Sequence, residues 1–418
     1  MLALAVGSIL STVDVDPSSS PWKHLVFQGT VDDARNLLIG IASTMVTVIA
    51  LVLGLTLVAL QLASTQFSPR LLRNFLRDRV NQVVLSVFVA TFTYSSAGLY
   101  TVGIAAGGRT SSFPRLAVTG ALVLLFASMV MLIFFVHHLA HSIQIDEIMR
   151  RVEHSTLQVI THSLPTGDGP GAGVPPPPDH AWPVPAERSG YVQTLHPEVL
   201  LTLAVEVGLA ASVVPMVGEH VVEGAPILYV WALDGGQPRV PPEVVAEVTR
   251  DAIRLGFERT LEQDVALGIR QLADIGSKAL SPAINDPYTA VQALDHLSVI
   301  LSALAPLPLG GQTLRATDGT VHVKVPGRDL RYFVDLACGQ IRRYGAAEPR
   351  VMAALLRVLG NTGRSCQDAE SRAVVLNQVE LVLLDAERAT AQPADLQNVR
   401  AAGTALLSRL ASASDKPA

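Results

Sequence analysis

LLIGIASTMVTVIALVLGLTLVALQL, Leu37–Leu62, carries no charged side chain from end to end. A helix rising 1.5 Å per residue needs roughly 20 apolar residues to cross a ~30 Å hydrocarbon core. A buried helix of a soluble protein seldom stays apolar on every face for that long. Two further runs repeat the pattern, Val83–Ala106 and Leu116–Val136 (LAVTGALVLLFASMVMLIFFV). Three membrane-spanning helices are therefore predicted, so the fold is mainly α with a transmembrane helical block over residues 37–150.

Before the first span, residues 1–36 open with MLALAVGSIL, which has no basic residue ahead of its apolar stretch and so does not read as a signal peptide. The expectation is the remnant of a further N-terminal span followed by an extracytoplasmic segment. Between the first two spans, TQFSPRLLRNFLRDRVNQ sets Arg70, Arg73, Arg77 and Arg79 against one acid, Asp78. The Asp14–Arg35 segment is acidic instead, with four aspartates against Lys23 and Arg35. The positive-inside rule puts the arginine loop in the cytoplasm, and the parity of crossings puts everything after the third span there too. Arg109 and Arg115 cast a weaker opposing vote. A bacterial inner-membrane protein with a cytoplasmic C-terminal domain is the expectation.

The spans hold hydroxyls (Ser43, Thr44, Thr47, Thr56, Thr91, Thr93, Ser95, Ser96) but no mid-span Asp, Glu, Lys or Arg. Proton-coupled pumps and voltage sensors usually place a charge there. Hydroxyls and glycines such as Gly40 and Gly54 are expected to serve helix packing, with a Thr/Ser-lined pore as the alternative.

Across all 418 residues, 49% are hydrophobic and 16% charged, and the net charge is −5; mean hydropathy is +0.38. The acidic balance argues against a nucleic-acid surface. Two cysteines, Cys338 and Cys366, make a disulfide framework improbable and suit a reducing compartment.

Beyond the third span, His137 and His141 lie four apart on one helical face. They are weak candidates for a metal site, since no HExxH pattern completes them; the expectation is no metal and no cofactor. Residues 151–189 are read as a linker for their Pro/Gly-dense LPTGDGPGAGVPPPPDHAWPVPAERSG. Residues 190–235 read as a β-rich module. Its GEHVVEGAPIL turn, with Gly218, Val221, Gly224, Pro226 and Leu228, resembles the barrel-sandwich modules of biotinyl and lipoyl carriers. The carriers attach their cofactor to a lysine, which this segment lacks, so a carrier role is excluded and a structural or adaptor module remains.

Residues 241–413 read as a cytoplasmic helical domain, with a hairpin near 313–325 turning at Asp318–Gly319. Its most distinctive stretch is FERTLEQDVALGIRQLADIGSKALSPAINDPYTAVQALDHL. Ser281–Pro282 and Asp286–Pro287 each read as a capping residue with proline at the first helical position. One helix ends there, a tight turn follows, and a second starts at Pro287, with Asn285 and Asp286 available to its free amides. Arg270 and Asp274 are spaced to pair on one face. The motif's polar members, Arg259, Gln263, Asp264, Arg270, Gln271, Asp274, Ser281, Asn285 and Asp286, form the candidate ligand or interface site. The alternative is a capping and salt-bridge network that fixes a helical hairpin or an oligomer interface.

This stretch, together with ALQLASTQFSPRLLRNFLRDR upstream, resembles the bacterial membrane-protein family catalogued as domain of unknown function 2254, from about Asp32 to Ala389. The family usually has one more N-terminal span, and the resemblance implies no activity.

The chain carries no GxSxG, HExxH, phosphate loop, CxxC pair or Rossmann glycine set, so no enzymatic activity is expected. Two functions remain. One is an oligomeric channel- or transporter-like conduit with a cytoplasmic regulatory domain; so few spans per chain would require a homo-oligomer. The other is a membrane-anchored scaffold or sensor for a cytoplasmic ligand or protein. The expected partners are the lipid bilayer, further copies of the chain, and an ion, small ligand or protein, with no nucleic acid.

Overall fold

The computed structural model describes residues 26–66, 79–106, 115–142, 144–164 and 177–412. The chain divides into two compact units, residues 1–147 and 148–418.

The first unit is built from α1 (Val31–Gln66), α2 (Arg79–Ala106) and α3 (Arg115–Ser142). All three are long and apolar enough to cross a membrane. They pack on a core that includes Leu38, Phe88 and Phe135. Large apolar side chains also point outward, among them Leu57, Val130 and Ile133, each about two-thirds exposed. In water such a surface would be a severe liability, whereas a hydrocarbon surround makes it neutral.

Most of the span hydroxyls turn back on their own helices, while that of Ser95 is buried without a hydrogen-bond partner. Thr44, Thr47, Thr56 and Thr93 each donate to the carbonyl four residues earlier. Thr91 and Ser128 bond across the α2–α3 contact at 2.9 Å, and the Tyr94 hydroxyl reaches the Ala117 carbonyl. Gly40 and Gly54, expected at helix contacts, are exposed with no neighbour where a side chain would stand. Gly98 holds the packing position instead: a Cβ there would lie 3.2 Å from Leu38 of α1. Periodicity gives which residues share a face, but not which face meets a neighbour.

The second unit starts within α4 (Ile145–Ser163), whose buried side is Met149, Val152, Thr156, Val159 and Ile160. The linker expected over 151–189 is thus narrower. Its first part is the continuation of this amphipathic helix, and residues 165–176 lie outside the described ones. Trp182–Pro185 forms strand β1. Two prolines fit there because β1 is a sheet edge, where one side of the strand needs no ladder partner.

Then come β2 (Gly190–Leu195), α5 (Pro197–Val207), β3 (Leu209–Val213), β4 (His220–Val221), β5 (Pro226–Ala232), α6 (Pro242–Ala252) and β6 (Ile253–Gly256). The helix α5 inside the segment read as β-rich has local causes. Proline occupies its first turn, and Gly208 ends it in a left-handed conformation at φ 67°. The bundle helices are α7 (Val265–Ala279), α8 (Pro287–Leu304), α9 (Leu330–Tyr344), α10 (Pro349–Ser365), α11 (Ala369–Ala389) and α12 (Pro393–Ser412), with the hairpin β7 (Gln312–Arg315) and β8 (Val321–Val325) between α8 and α9.

The strands form two open sheets rather than the closed barrel-sandwich the sequence suggested. One runs β1-β5-β3-β8-β7, the other β4-β2-β6. The hairpin falls where expected but not alone: β8 pairs in parallel with β3, Ala211 opposite Val323, so it completes the sheet of the β-rich module. One apolar core, including Leu200, Leu228, Val245, Ile253 and Val323, joins both sheets with α5 and α6. The other core is helical and centres on α8, where Ala293, Leu294, Leu297, Ile300, Leu301 and Leu304 are fully buried.

Candidate functional site

The motif residues divide among three places along α7. At its N-terminus, Asp264 is 3% exposed. Its carboxylate caps the helix, accepting from the Leu267 amide at 3.0 Å. It also accepts two bonds from Arg259, at 2.7 Å from Nε and 3.0 Å from Nη2. Burial works against the charge of that guanidinium, but the hydrogen bonds and attraction of Asp264 outweigh it. Arg259 therefore holds its proton more tightly than a free arginine. Gly218, at φ 84°, presses against this pair, and a Cβ there would lie 2.2 Å from Asp264 Oδ2. Only glycine meets both demands. Gln263 accepts from the Leu195 amide at 2.8 Å, and Gln193 donates to the Glu258 carbonyl at 2.8 Å. These bonds stitch the β-rich module to the start of the helical bundle.

Midway along α7, Arg270 and Asp274 are partly buried one turn apart. Gln271 is 3% exposed, and its Oε1 is buried without a hydrogen-bond partner. At the C-terminus is the SPAINDP turn. Asn285 takes φ 51°, the one non-glycine residue with positive φ among those described. Its amide bonds to the Ser281 carbonyl, and the Asp286 amide to that of Ala279, both at 2.8 Å. Asp286 caps α8 as expected, accepting from the Thr289 amide at 3.2 Å and its hydroxyl at 2.6 Å. Ser281–Pro282 does not open a helix. The left-handed Asn285 breaks the turn before it can propagate, so this residue serves through its backbone rather than as a cap. Fifteen residues of helix put the two ends of α7 about 22 Å apart, so the candidates are not one cluster. The hydrogen bonds of Asn285 and Asp286 given above are local to the SPAINDP turn and the start of α8.

The N-terminal group borders a cleft of about 560 Å³, whose lining residues include Gln263, Asp264, His162, His196, Glu198 and Arg328. His196 sits 3.4 Å from Glu198. Arg328 lies over the Tyr332 ring at 4.4 Å and donates to its hydroxyl at 2.8 Å, while its Nε is buried without a hydrogen-bond partner. Leu195, Met216, Leu309 and Phe333 supply apolar walls. His162, His196, Glu198 and Arg328 were not legible as site residues in the sequence, because they come from three separate segments with no shared motif.

The His137 and His141 rings lie 4.2 Å apart and tilted at 50°, and His141 Nδ1 lies 2.9 Å from the His137 carbonyl of its own helix. Among the described residues no group of three His, Cys, Asp or Glu comes together to hold a metal. Arg79 opens α2, while Arg70, Arg73 and Arg77 lie outside the described residues. Both thiols are buried; burial pushes Cys338 up to about 12 and Cys366 up to about 11.

No solved structure matches this chain. It is 42% identical over 397 residues to an uncharacterized protein of Mycobacterium bovis, and equally so to uncharacterized proteins of two Mycobacterium tuberculosis strains. Each match covers 94% of this chain and 76% of the relative. The profile of the family described as "Predicted membrane protein (DUF2254)" matches residues 1–361. With that profile spanning most of its length and three apolar helices in its first unit, the chain belongs to this family of predicted membrane proteins.

Proposed function

We propose that this membrane protein is a membrane-anchored sensor whose second unit binds a small ligand in the 560 Å³ cleft. The cleft carries the proposal. Its volume is that of a small-molecule site, and its walls mix apolar side chains with convergent polar and charged ones, Gln263, His196, Glu198 and Arg328 among them. The Arg259–Asp264 pair and Gln263 brace it. A route for coupling supports the reading. Motif helix α7 meets α4 where Gly268 lies against Thr156, and Glu153 of α4 pairs with His296 of α8. In the sequence α4 is the next element after the third span, and in this reading a ligand acts by displacing α7 against α4. In this reading the second unit is cytoplasmic, the protein works as a homo-oligomer, and it catalyses nothing.

Screening small metabolites for thermal stabilisation of the detergent-solubilised full chain tests the proposal. A ligand should be found whose stabilisation falls on Glu198→Ala or Arg328→Ala. If no compound stabilises, or if stabilisation survives both substitutions, the cleft is not the site. The uncharged, hydroxyl-bearing spans also support a second reading, an oligomeric conduit with a cytoplasmic regulatory domain. In that reading the path forms between copies of the chain. Ion flux through proteoliposomes is its test, and no flux for common ions would end it.

A further inference from the structure

Among the described residues that line the cleft, Arg328 is the only lysine or arginine. It stands just ahead of α9 and lies across the Tyr332 ring, with Nη1 donating to the Tyr332 hydroxyl at 2.8 Å. Its other two nitrogens, Nη2 and Nε, have no acceptor among the described residues, and Nε is also shut away from water. A buried N–H of a charged group with nothing to accept from it costs stability. The ring does not offset this, because its face attracts the charge without accepting from the guanidinium edge.

Other guanidiniums of this unit meet acids, as in Arg254–Glu262, Arg259–Asp264 and Arg400–Glu387. Arg342 shares the unpartnered Nε, but Asp385 answers its charge. Arg328 pairs with no carboxylate among the described residues. The rest of the cleft narrows what would sit beside it. Asp264 is matched by Arg259, and Glu198 is met by His196 at 3.4 Å. Gln263 uses its Oε1 on the Leu195 amide and keeps Nε2 without an acceptor among the described residues.

We propose that the ligand of this cleft is a small monocarboxylic acid with an apolar body, its carboxylate held by Arg328; this rests on the cleft being a ligand site. Two carboxylate oxygens match the spacing of the Nη2–Nε edge. A ring face holds a guanidinium without fixing its rotation, so a small turn on Tyr332 brings Nε to the ligand. The charge follows from the lining. One cation answers one negative group, whereas the second charge of a phosphomonoester would meet Glu198 and no further lysine or arginine. Leu195, Met216, Leu309 and Phe333 would take the apolar body.

Calorimetric titration of the detergent-solubilised full chain tests this with benzoate, phenylacetate and hexanoate, each against its amide, and with phenyl phosphate. At least one carboxylate should bind, roughly tenfold or more tighter than its amide and than phenyl phosphate. Arg328→Gln should weaken the carboxylate roughly tenfold and leave the amide unchanged, and Arg328→Lys, which keeps the charge without the fork, should recover part of the loss. Gln312→Glu sets a carboxylate in the cleft lining without replacing Arg328 and should weaken the acid by a similar factor. The proposal is overturned if no carboxylate binds, or if none binds better than its amide and phenyl phosphate. Equal carboxylate affinity in Arg328→Gln and wild type also overturns it; if that variant does not fold, unchanged affinity in Gln312→Glu does so. A neutral or cationic compound that stabilises the chain, and loses that effect in Glu198→Ala, keeps the cleft as a ligand site while refuting the acid. The two readings therefore fail separately.

Discussion

Replacing Asp264 by alanine removes two things from the N-terminus of α7. The first is the helix cap, worth about 1 kcal/mol. The second is the partner of Arg259, whose side chain is 26% exposed. Stripping one member from a fully buried pair costs about 3–5 kcal/mol; partial access of the guanidinium to water brings this to about 2. The expected total is about 3 kcal/mol. For a unit of this size that lowers Tm by roughly 6–12 °C. Asp264→Asn keeps a cap acceptor and loses only the charge, so it should cost about 1 kcal/mol less than alanine. The readout is thermal unfolding of the detergent-solubilised chain by tryptophan fluorescence, since Trp182 and Trp231 stand on paired strands of the second unit. The double variant Arg259→Met/Asp264→Asn should be less destabilised than the sum of its singles by at least about 1 kcal/mol. A Tm within about 1 °C of wild type for Asp264→Ala, or strict additivity in the double variant, would refute the bracing role.

Gly268→Ala should destabilise by about 1–3 kcal/mol, because its Cβ would fall 1.9 Å from the buried Thr156 hydroxyl; Thr156→Ala should recover part of that loss in the same assay, and equal stability of Gly268→Ala and wild type would deny the α4–α7 contact. The Thr289 hydroxyl, bonded at 2.6 Å, holds Asp286 below the usual carboxylate range, with amide hydrogen bonds adding to it against burial. The folded state thus binds this proton less tightly than the unfolded chain, so the contribution is complete above the unfolded value of about 3.9 and is lost as pH falls below it. At this partly exposed turn it amounts to less than about 1 kcal/mol, and Asp286→Asn should flatten that much of the acid limb of stability against pH in denaturant titrations; an unchanged limb would contradict it. With its thiol near 11, Cys366 is about one part in a thousand thiolate at pH 8, against roughly a quarter for a free cysteine. Iodoacetamide should therefore label it at least a hundredfold more slowly in the folded chain than in guanidinium, and rapid labelling of the folded chain would show the site open.

The three spans were determined by sequence alone, because crossing a hydrocarbon core depends on length and hydropathy along one continuous segment. The Asp286–Pro287 start of α8 and the Asp318–Gly319 hairpin were legible for the same reason: capping and turn chemistry act over a few residues. Whatever depends on distant segments was decided by tertiary structure. The hairpin joins β3 in parallel across more than a hundred residues, since only the folded sheet has that edge free. Arg259 and Asp264 read as motif members, but their engagement with Gly218, and that of Gln263 with Leu195, exists only once β2 and its neighbours close over α7. Gly98 rather than Gly40 or Gly54 meets a neighbouring helix because the facing surface is set by how the helices dock.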